Sequence, residues 1–139
     1  FSESEGGLYY SLTLVPDHFH WEDLQTYVTQ CAQALVRVIC SLSDIEVSVE
    51  WPNDLILNNK KVGGILIEAT SQGNEAVPKY VTVGVGLNLN QQEFPSDLKA
   101  VAISLLQVSS RSYNKAEFAE SMTRELVHVF TRHSGRYSS

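Results

Sequence analysis

The sequence has little of what marks several large classes of protein. Only two cysteines, Cys31 and Cys40, occur among its 139 residues, too few for the dense disulfide framework of a small secreted domain. The net charge is −6, and no lysine or arginine cluster forms the basic face that binds nucleic acid. No apolar run reaches the 18 residues of a membrane span. We therefore expect no nucleic-acid or membrane partner for this segment.

What the chain does contain is typical of a folded domain. Hydrophobic residues make up 43% and charged residues 19% of it, which is near the average for globular proteins. The length fits one domain with a core of its own. Cys31 and Cys40 fall in one predicted helix, too far apart along its axis to bond to each other. Reduced thiols of this kind indicate a reducing, cytoplasmic compartment.

Alternation of apolar and polar residues predicts the strands. It holds over residues 8–14, where the leucines and Tyr10 alternate with Tyr9, Ser11 and Thr13, and over residues 45–51, with Trp51 on the apolar side. Residues 55–57 and 60–69 are predicted to form a hairpin about Asn58-Asn59, because asparagine accepts the positive φ of a tight turn. Residues 80–89 read as one more strand.

Apolar residues at helical spacing predict three helices. The first runs from Trp21 to about Leu42, and its apolar face comprises Leu24, Val28, Cys31, Leu35, Val38 and Leu42. A second is expected through residues 101–108, capped by Ser96 or Asp97. In the third, Asn114 and Glu117 form a capping pattern, and the apolar face comprises Phe118, Met122, Leu126, Val129 and Phe130. This order of elements predicts an α+β fold, with helices packed on a mixed, largely antiparallel sheet.

Three short segments carry a resemblance to one enzyme family. They are Trp51-Pro52-Asn53-Asp54, then Lys61-Val62-Gly63-Gly64-Ile65-Leu66-Ile67-Glu68, which begins seven residues after Asp54, and Val83-Gly84-Val85-Gly86-Leu87-Asn88. Together they resemble the adenylating core of biotin protein ligases. Gly6-Gly7-Leu8-Tyr9-Tyr10-Ser11 and the segment 94–105 resemble further parts of that domain. The resemblance therefore covers most of the chain.

The resemblance implies a fold and a reaction. The fold would be like that of class II aminoacyl-tRNA synthetases. The reaction would be ATP-dependent activation of biotin to biotinyl-5′-adenylate, followed by transfer of biotin to a lysine of a biotin carboxyl carrier protein domain. ATP and biotin would be the substrates and Mg²⁺ the metal. Members of the family often pair, so a homodimer is a further expectation.

The resemblance also assigns the site residues. Lys61 would be catalytic, because a cation must lie between the biotin carboxylate and the α-phosphate that it attacks. Four residues would line the biotin site: Tyr9, Lys61, Gly63 and Gly64. Five would bind the nucleotide: Asn53, Asp54, Gly84, Gly86 and Asn88. Asp54 would in addition hold Mg²⁺.

The lysine, the Asn53-Asp54 pair and the glycines each have a purely structural alternative. Lys61 would then be an exposed lysine beside the hairpin turn, and Asn53 and Asp54 would cap backbone groups in a separate Pro-Asn-Asp turn. Gly63-Gly64 would mark a β-bulge, and Gly84 and Gly86 would make room for a bulky neighbouring helix.

Two other functions stay open at this point. One is a ligase for lipoate or another acid, and the other is a non-catalytic module that binds biotin, a nucleotide or a carrier protein. Residues 1–139 are expected to be a partial catalytic domain. The family's Ser-Thr-Asn motif and Gly-Arg-Gly-Arg-Arg-Gly loop would lie upstream of it, and a small barrel domain downstream. The chain also has Glu50 where the family usually has lysine, a reversal of charge next to the proposed site.

Overall fold

The computed structural model describes residues 6–15, 19–71 and 78–138, with side chains as far as Thr131. A single 3-10 turn, Trp21–Asp23, precedes the first helix. The strands are β1 (Gly7–Leu14), β2 (Ser48–Glu50), β3 (Asp54–Leu57), β4 (Lys60–Thr70) and β5 (Tyr80–Asn88); the helices are α1 (Leu24–Ser43), α2 (Leu105–Ser109) and α3 (Lys115–Ser138). None of these helices has the length and apolar character needed to cross a bilayer within the described residues.

The five strands form one sheet in the order β1-β5-β4-β3-β2, and every neighbouring pair is antiparallel. Helices α1 and α3 pack against each other and against one face of this sheet. The alternation that predicted β1 separates the two faces of the sheet, and β5 shows the same alternation of burial. Val81, Val83, Val85 and Leu87 of β5 are buried beneath the helices, whereas the residues between them face the other way. The predicted α+β class is confirmed.

The hairpin between β3 and β4 has the turn that its sequence predicts. Asn58 and Asn59 have φ angles of 53° and 64°, which is typical of the two-residue turn whose twist matches that of antiparallel strands. The predicted third helix is also confirmed. The Oδ1 atom of Asn114 accepts a hydrogen bond of 3.0 Å from the backbone N–H of Glu117. The predicted apolar face of this helix is buried in the core.

Helix α1 matches its predicted range, with a small rotation of the buried face. Tyr27 and Ile39 are buried together with Cys31, Leu35 and Val38. The predicted members Leu24, Val28 and Leu42 are only partly buried. The ring of Tyr27 stacks on Phe130 of α3, with 4.7 Å between the ring centroids. Burial raises the pKa of the Cys31 thiol to about 12, so this thiol stays protonated in the core.

Two predicted elements are wrong in extent. The strand expected over residues 45–51 is reduced to β2, and the Trp51 side chain is 51% exposed because residues 51–53 form a turn. The helix expected through residues 101–108 begins only at Leu105. Ser104, not Ser96 or Asp97, is its cap, since the Ser104 hydroxyl accepts from the N–H of Gln107 in a capping box.

Candidate active site

A cleft of about 790 Å³ lies on the face of the sheet opposite the helices. The residues predicted for the site all line it: Tyr9, Asn53, Asp54, Lys61, Gly63, Gly64, Gly84, Gly86 and Asn88. They come from four strands and one turn that are distant in the sequence. All nine residues that were predicted for the site therefore line one cleft.

A straight row of paired residues crosses the floor of this cleft. Tyr9 of β1 pairs with Gly86 of β5, Gly86 pairs with Gly64 of β4, and Gly64 pairs with Asp54 of β3. Paired residues point to the same face of a sheet. The row therefore presents an aromatic ring at one end, a carboxylate at the other, and two glycines between them. The row spans three interstrand spacings, about 14 Å. We call Gly64 and Gly86, together with the nearby Gly84, the glycine floor.

Gly84 and Gly86 keep part of this floor flat. A Cβ atom at Gly84 would have the Leu66 carbonyl oxygen as its nearest neighbour, at 3.8 Å, and one at Gly86 would meet the Tyr9 ring at 3.8 and 3.9 Å. These neighbours belong to the sheet, so packing against a bulky helix does not explain the two glycines. Both positions have room for a methyl group, and the missing side chains leave a shallow surface.

Gly63 is required by its surroundings, whereas a side chain at Gly64 would meet only ordinary contacts. A Cβ atom at Gly63 would lie 2.7 Å from the carbonyl oxygen of Gly86, which no real side chain permits. One at Gly64 would lie 3.4 Å from Cε and 3.5 Å from Nζ of Lys61. The pairing of β3 with β4 also shifts register beside them, between Leu55 and Ile56. The bulge offered as an alternative thus occurs, and at Gly63 the backbone of β5 also approaches closely.

The ammonium group of Lys61 lies over the floor at the carboxylate end of the row. Its Nζ atom is 3.2 Å from Oδ1 of Asp54, and both side chains are partly exposed. An ion pair this accessible to water contributes only about 0–1 kcal/mol. An anionic ligand can therefore replace Asp54 as the partner of the ammonium at little cost.

The backbone of Lys61 is held more firmly than its side chain. Its N–H donates to the carbonyl of Val101 at 2.8 Å, and its carbonyl accepts from the N–H of Ile103 at 3.0 Å. The same carbonyl accepts from the side-chain amide of Asn88 at 3.2 Å. Three hydrogen bonds therefore fix the point from which the ammonium extends into the cleft.

The opposite end of the cleft has a different character. Tyr9 is 56% exposed, and its ring covers Gly86. Partial burial raises the pKa of the Tyr9 hydroxyl, so the phenol stays protonated at neutral pH. An aromatic face of this kind is suited to the apolar part of a ligand.

The turn before β3 places Asn53 and Asp54. Residues 51–53 form this turn, and the Asn53 carbonyl accepts from the N–H of Ile65 at 2.9 Å. The side chain of Asn53 is left exposed at the cleft. Glu50 of β2 pairs directly with Asp54, so the two carboxylates share one face. The charge reversal noted in the sequence therefore lies beside Asp54, which lines the cleft.

Sequence reasoning missed one wall of the cleft, formed by Leu98, Val101 and Ala102. A helix was predicted there, and Val101 is instead 56% exposed beside Lys61. A signal for the correct boundary was present. Ser104 and Gln107 have the spacing of a capping box, which would have started the helix at Leu105 and left residues 101–103 outside it.

The fold and the cleft together define an α+β ligand-binding domain, with a lysine held above a glycine floor. The sequence profile of the biotin/lipoate A/B protein ligase family matches residues 1–88. The chain belongs to this family. The resemblance to biotin protein ligases that the sequence indicated is thereby confirmed.

Individual relatives agree with this assignment. The chain is 36% identical over 117 residues to the bifunctional ligase/repressor BirA of Bacillus spizizenii, which covers 83% of this chain and 35% of that protein. It is 30% identical over 91 residues to the biotin–[acetyl-CoA-carboxylase] ligase of Mycobacterium tuberculosis, which covers 66% of this chain and 31% of that protein. The chain thus spans about a third of the length of these relatives.

A solved structure shows the same architecture. The biotin protein ligase from Aquifex aeolicus in complex with biotin and ATP superimposes with a TM-score of 0.71 at 26% identity, over 91% of this chain and 52% of that one. Biotin protein ligases have the class II aminoacyl-tRNA synthetase-like fold, so the predicted fold class is confirmed in this respect as well.

Proposed function

We propose that the protein containing this chain activates biotin with ATP to form biotinyl-5′-adenylate. It then transfers biotin to a lysine of a biotin carboxyl carrier protein domain. The observation that carries the proposal is the ammonium of Lys61, which lies 3.2 Å from Asp54 above the glycine floor. The names of the relatives, which include biotin ligases, support the choice of acid.

Lys61 is assigned to the first step. An oxygen of the biotin carboxylate attacks the α-phosphorus of ATP, the new P–O bond forms, and the bond to pyrophosphate breaks. Two anionic groups must approach each other, and the ammonium stabilises the charge that they share. Its weak ion pair with Asp54 leaves it available for this contact.

The two ends of the floor are assigned to the two substrates. Tyr9 would cover the apolar rings of biotin, and the carboxylate would then extend along Gly63 and Gly64 toward Lys61. Asn53, Gly84 and Gly86 would contact the nucleotide. Asn88 is assigned to the nucleotide as well, in addition to its hydrogen bond with the Lys61 carbonyl.

Asp54 is the residue that would hold Mg²⁺. The described residues contain no group of three or more His, Cys, Asp or Glu side chains placed to bind a metal. A single carboxylate fits, because Mg²⁺ on a nucleotide is usually held by one or two carboxylates together with phosphate oxygens and water. When bound, the ion would neutralise phosphate charge.

The second step involves the carrier. The amine of its lysine attacks the acyl carbon of the adenylate, AMP leaves from that carbon, and the amine gives up its proton as the amide forms. The carboxylase in the name of the Mycobacterium tuberculosis relative supports a carrier of this type. Pairing as a homodimer and a cytoplasmic location stay predictions.

Biotin-dependent exchange of labelled pyrophosphate into ATP tests the proposal without a carrier. The protein would comprise this chain and whatever its gene encodes upstream of Phe1, assayed with biotin, with lipoate and with neither acid. Exchange is expected with biotin, and none is expected with lipoate or without an added acid. Exchange with lipoate would identify another acyl ligase, and ligand binding without exchange would identify a non-catalytic module.

Replacing Glu50 by lysine is expected to tighten ATP binding. Glu50 pairs with Asp54, which lines the cleft, and an exposed lysine there would attract the phosphates of ATP by about 0–1 kcal/mol. The Kd for ATP should fall by up to about fivefold, measured by titration calorimetry. Glu46→Lys makes the same change of net charge at an exposed position outside the strand. An equal gain from Glu46→Lys would assign the effect to net charge alone.

A further inference from the structure

Few polar side chains are buried in the described part of the chain. They are Ser43, Gln91 and Ser104. Two of them contact each other, because the hydroxyl of Ser104 donates to the backbone carbonyl of Gln91 at 2.6 Å. Gln91 is 7% exposed and follows the end of β5, three residues after Asn88. Burying a polar side chain lowers stability unless its hydrogen bonds compensate, so the position of Gln91 calls for an explanation.

The side chain of Gln91 is connected to Lys61 through one intermediate residue. Its Nε2 atom donates to Oδ1 of Asn88 at 3.1 Å. The Nδ2 atom of Asn88 in turn donates to the Lys61 carbonyl at 3.2 Å. The chain of contacts therefore leads from a buried glutamine to the backbone of the lysine in the cleft.

The direction of these hydrogen bonds is dictated by the Lys61 carbonyl. A carbonyl oxygen only accepts, so Asn88 must turn its NH₂ group toward it. The Oδ1 atom of Asn88 then faces Gln91, and Gln91 must also turn its NH₂ group outward. If either amide were reversed, two oxygens or two NH₂ groups would face each other.

The same orientation leaves the other half of the Gln91 amide unsatisfied. Its Oε1 atom is buried, and among the residues that the structure describes no donor reaches it. An acceptor in this situation lowers stability. Buried unsatisfied groups are rare in folded proteins, so the donation to Asn88 is retained in spite of that cost.

We propose that Gln91 is a positioning residue that orients the Asn88 amide and thereby holds the Lys61 backbone in place for adenylation. This inference rests on the proposed function for its activity readout. Val101 and Ile103 also hold Lys61, so the loss of Gln91 should weaken one of the three hydrogen bonds that position the lysine without unfolding the chain. A displacement of about 1 Å at a reacting group lowers rates by up to about 100-fold.

Two substitutions test the role of the Gln91 NH₂ group. Gln91→Met keeps a side chain of similar length and removes both the donor and the unsatisfied acceptor. Gln91→Glu keeps the shape and turns an acceptor toward Asn88. Gln92→Met is the matched control, because it makes the same chemical change at the exposed neighbouring residue. All variants would be made in the protein with its natural upstream residues.

Comparing kcat with Tm distinguishes a positioning role of Gln91 from a role in packing alone. Gln91→Met should lower kcat for biotin-dependent exchange by about 10- to 100-fold with an unchanged or higher Tm, and Gln91→Glu should lower kcat at least as much. Gln92→Met should behave as wild type. Wild-type kcat in Gln91→Met, or a loss of activity that follows a lower Tm, would overturn the proposal.

A second readout is independent of activity. In ¹⁵N-labelled protein, Gln91→Met should shift the side-chain amide resonances of Asn88 and the backbone amide of Lys61, and Gln92→Met should not. If the wild type catalyses no exchange, the proposed function fails, and this measurement still tests the contacts. If the Asn88 and Lys61 resonances stay unchanged in Gln91→Met, the positioning role is wrong whatever the activity.

Discussion

Replacing Lys61 by alanine is expected to lower kcat for biotin-dependent pyrophosphate exchange by about 100- to 1000-fold, the usual effect of removing one preorganised group that stabilises developing negative charge. The Lys61 ammonium is the cation that the structure places at the carboxylate end of the glycine floor. Its side chain is partly exposed, so the substitution leaves no cavity in the core. The loss should therefore appear in rate and not in stability.

The neighbouring Lys60 supplies the control for this experiment. Its ammonium donates to the carbonyl of Lys99 at 3.3 Å and does not line the cleft. Lys60→Ala removes the same charge from the same hairpin and should retain wild-type kcat. Lys61→Arg should not restore activity fully, because a planar guanidinium does not replace a compact ammonium. Equal activity of Lys61→Ala and Lys60→Ala would refute the catalytic assignment of Lys61.

Replacing Gly63 by alanine is expected to lower the free energy of unfolding by about 1–3 kcal/mol. The added Cβ atom would lie 2.7 Å from the carbonyl oxygen of Gly86 and 3.3 Å from Cδ1 of Leu87. The first neighbour is backbone of the adjacent strand and cannot move aside without disturbing the pairing of β4 with β5. Urea unfolding followed by circular dichroism measures the change.

Gly84→Ala is the matched control on the adjacent strand. Its Cβ atom would have its nearest neighbour at 3.8 Å, which is ordinary contact. Alanine also loses less conformational entropy than glycine on folding, by roughly 0.5–1 kcal/mol. Stability should therefore stay the same or rise, while the methyl group interrupts the flat floor and weakens ligand binding. A Gly63→Ala protein as stable as Gly84→Ala would show that β4 and β5 are not in close contact at Gly63.

Much of the fold follows from short stretches of sequence. The alternation in β1 and β5 decides which side chains face the helices, since the strand period is two. The pair Asn58-Asn59 specifies its turn through the positive φ angles that asparagine accepts, and Asn114 with Glu117 specifies where α3 begins. Each of these features depends on residues within a few positions of each other. The sequence alone was therefore sufficient to predict them.

The predicted cleft residues required a different kind of information. Periodicity alone could not place Tyr9, Lys61 and Asn88 around one cleft, and their grouping came from the resemblance to a family. The structure then separated the reasons for the glycines. Gly63 is required by the backbone of β5, whereas a Cβ atom at Gly64, Gly84 or Gly86 would make only ordinary contacts.

The sequence by itself determined the strands of the sheet, the hairpin turn and the two long helices, because local spacing and turn chemistry decide these elements. Only the tertiary structure decided that Ala102 forms a bridge with Lys61, that Glu50 faces Asp54, and that Asn88 joins Gln91 to the Lys61 carbonyl. Most of these contacts join residues from separate elements. Which backbone groups meet there depends on how the strands pair, and no local pattern in the sequence records that.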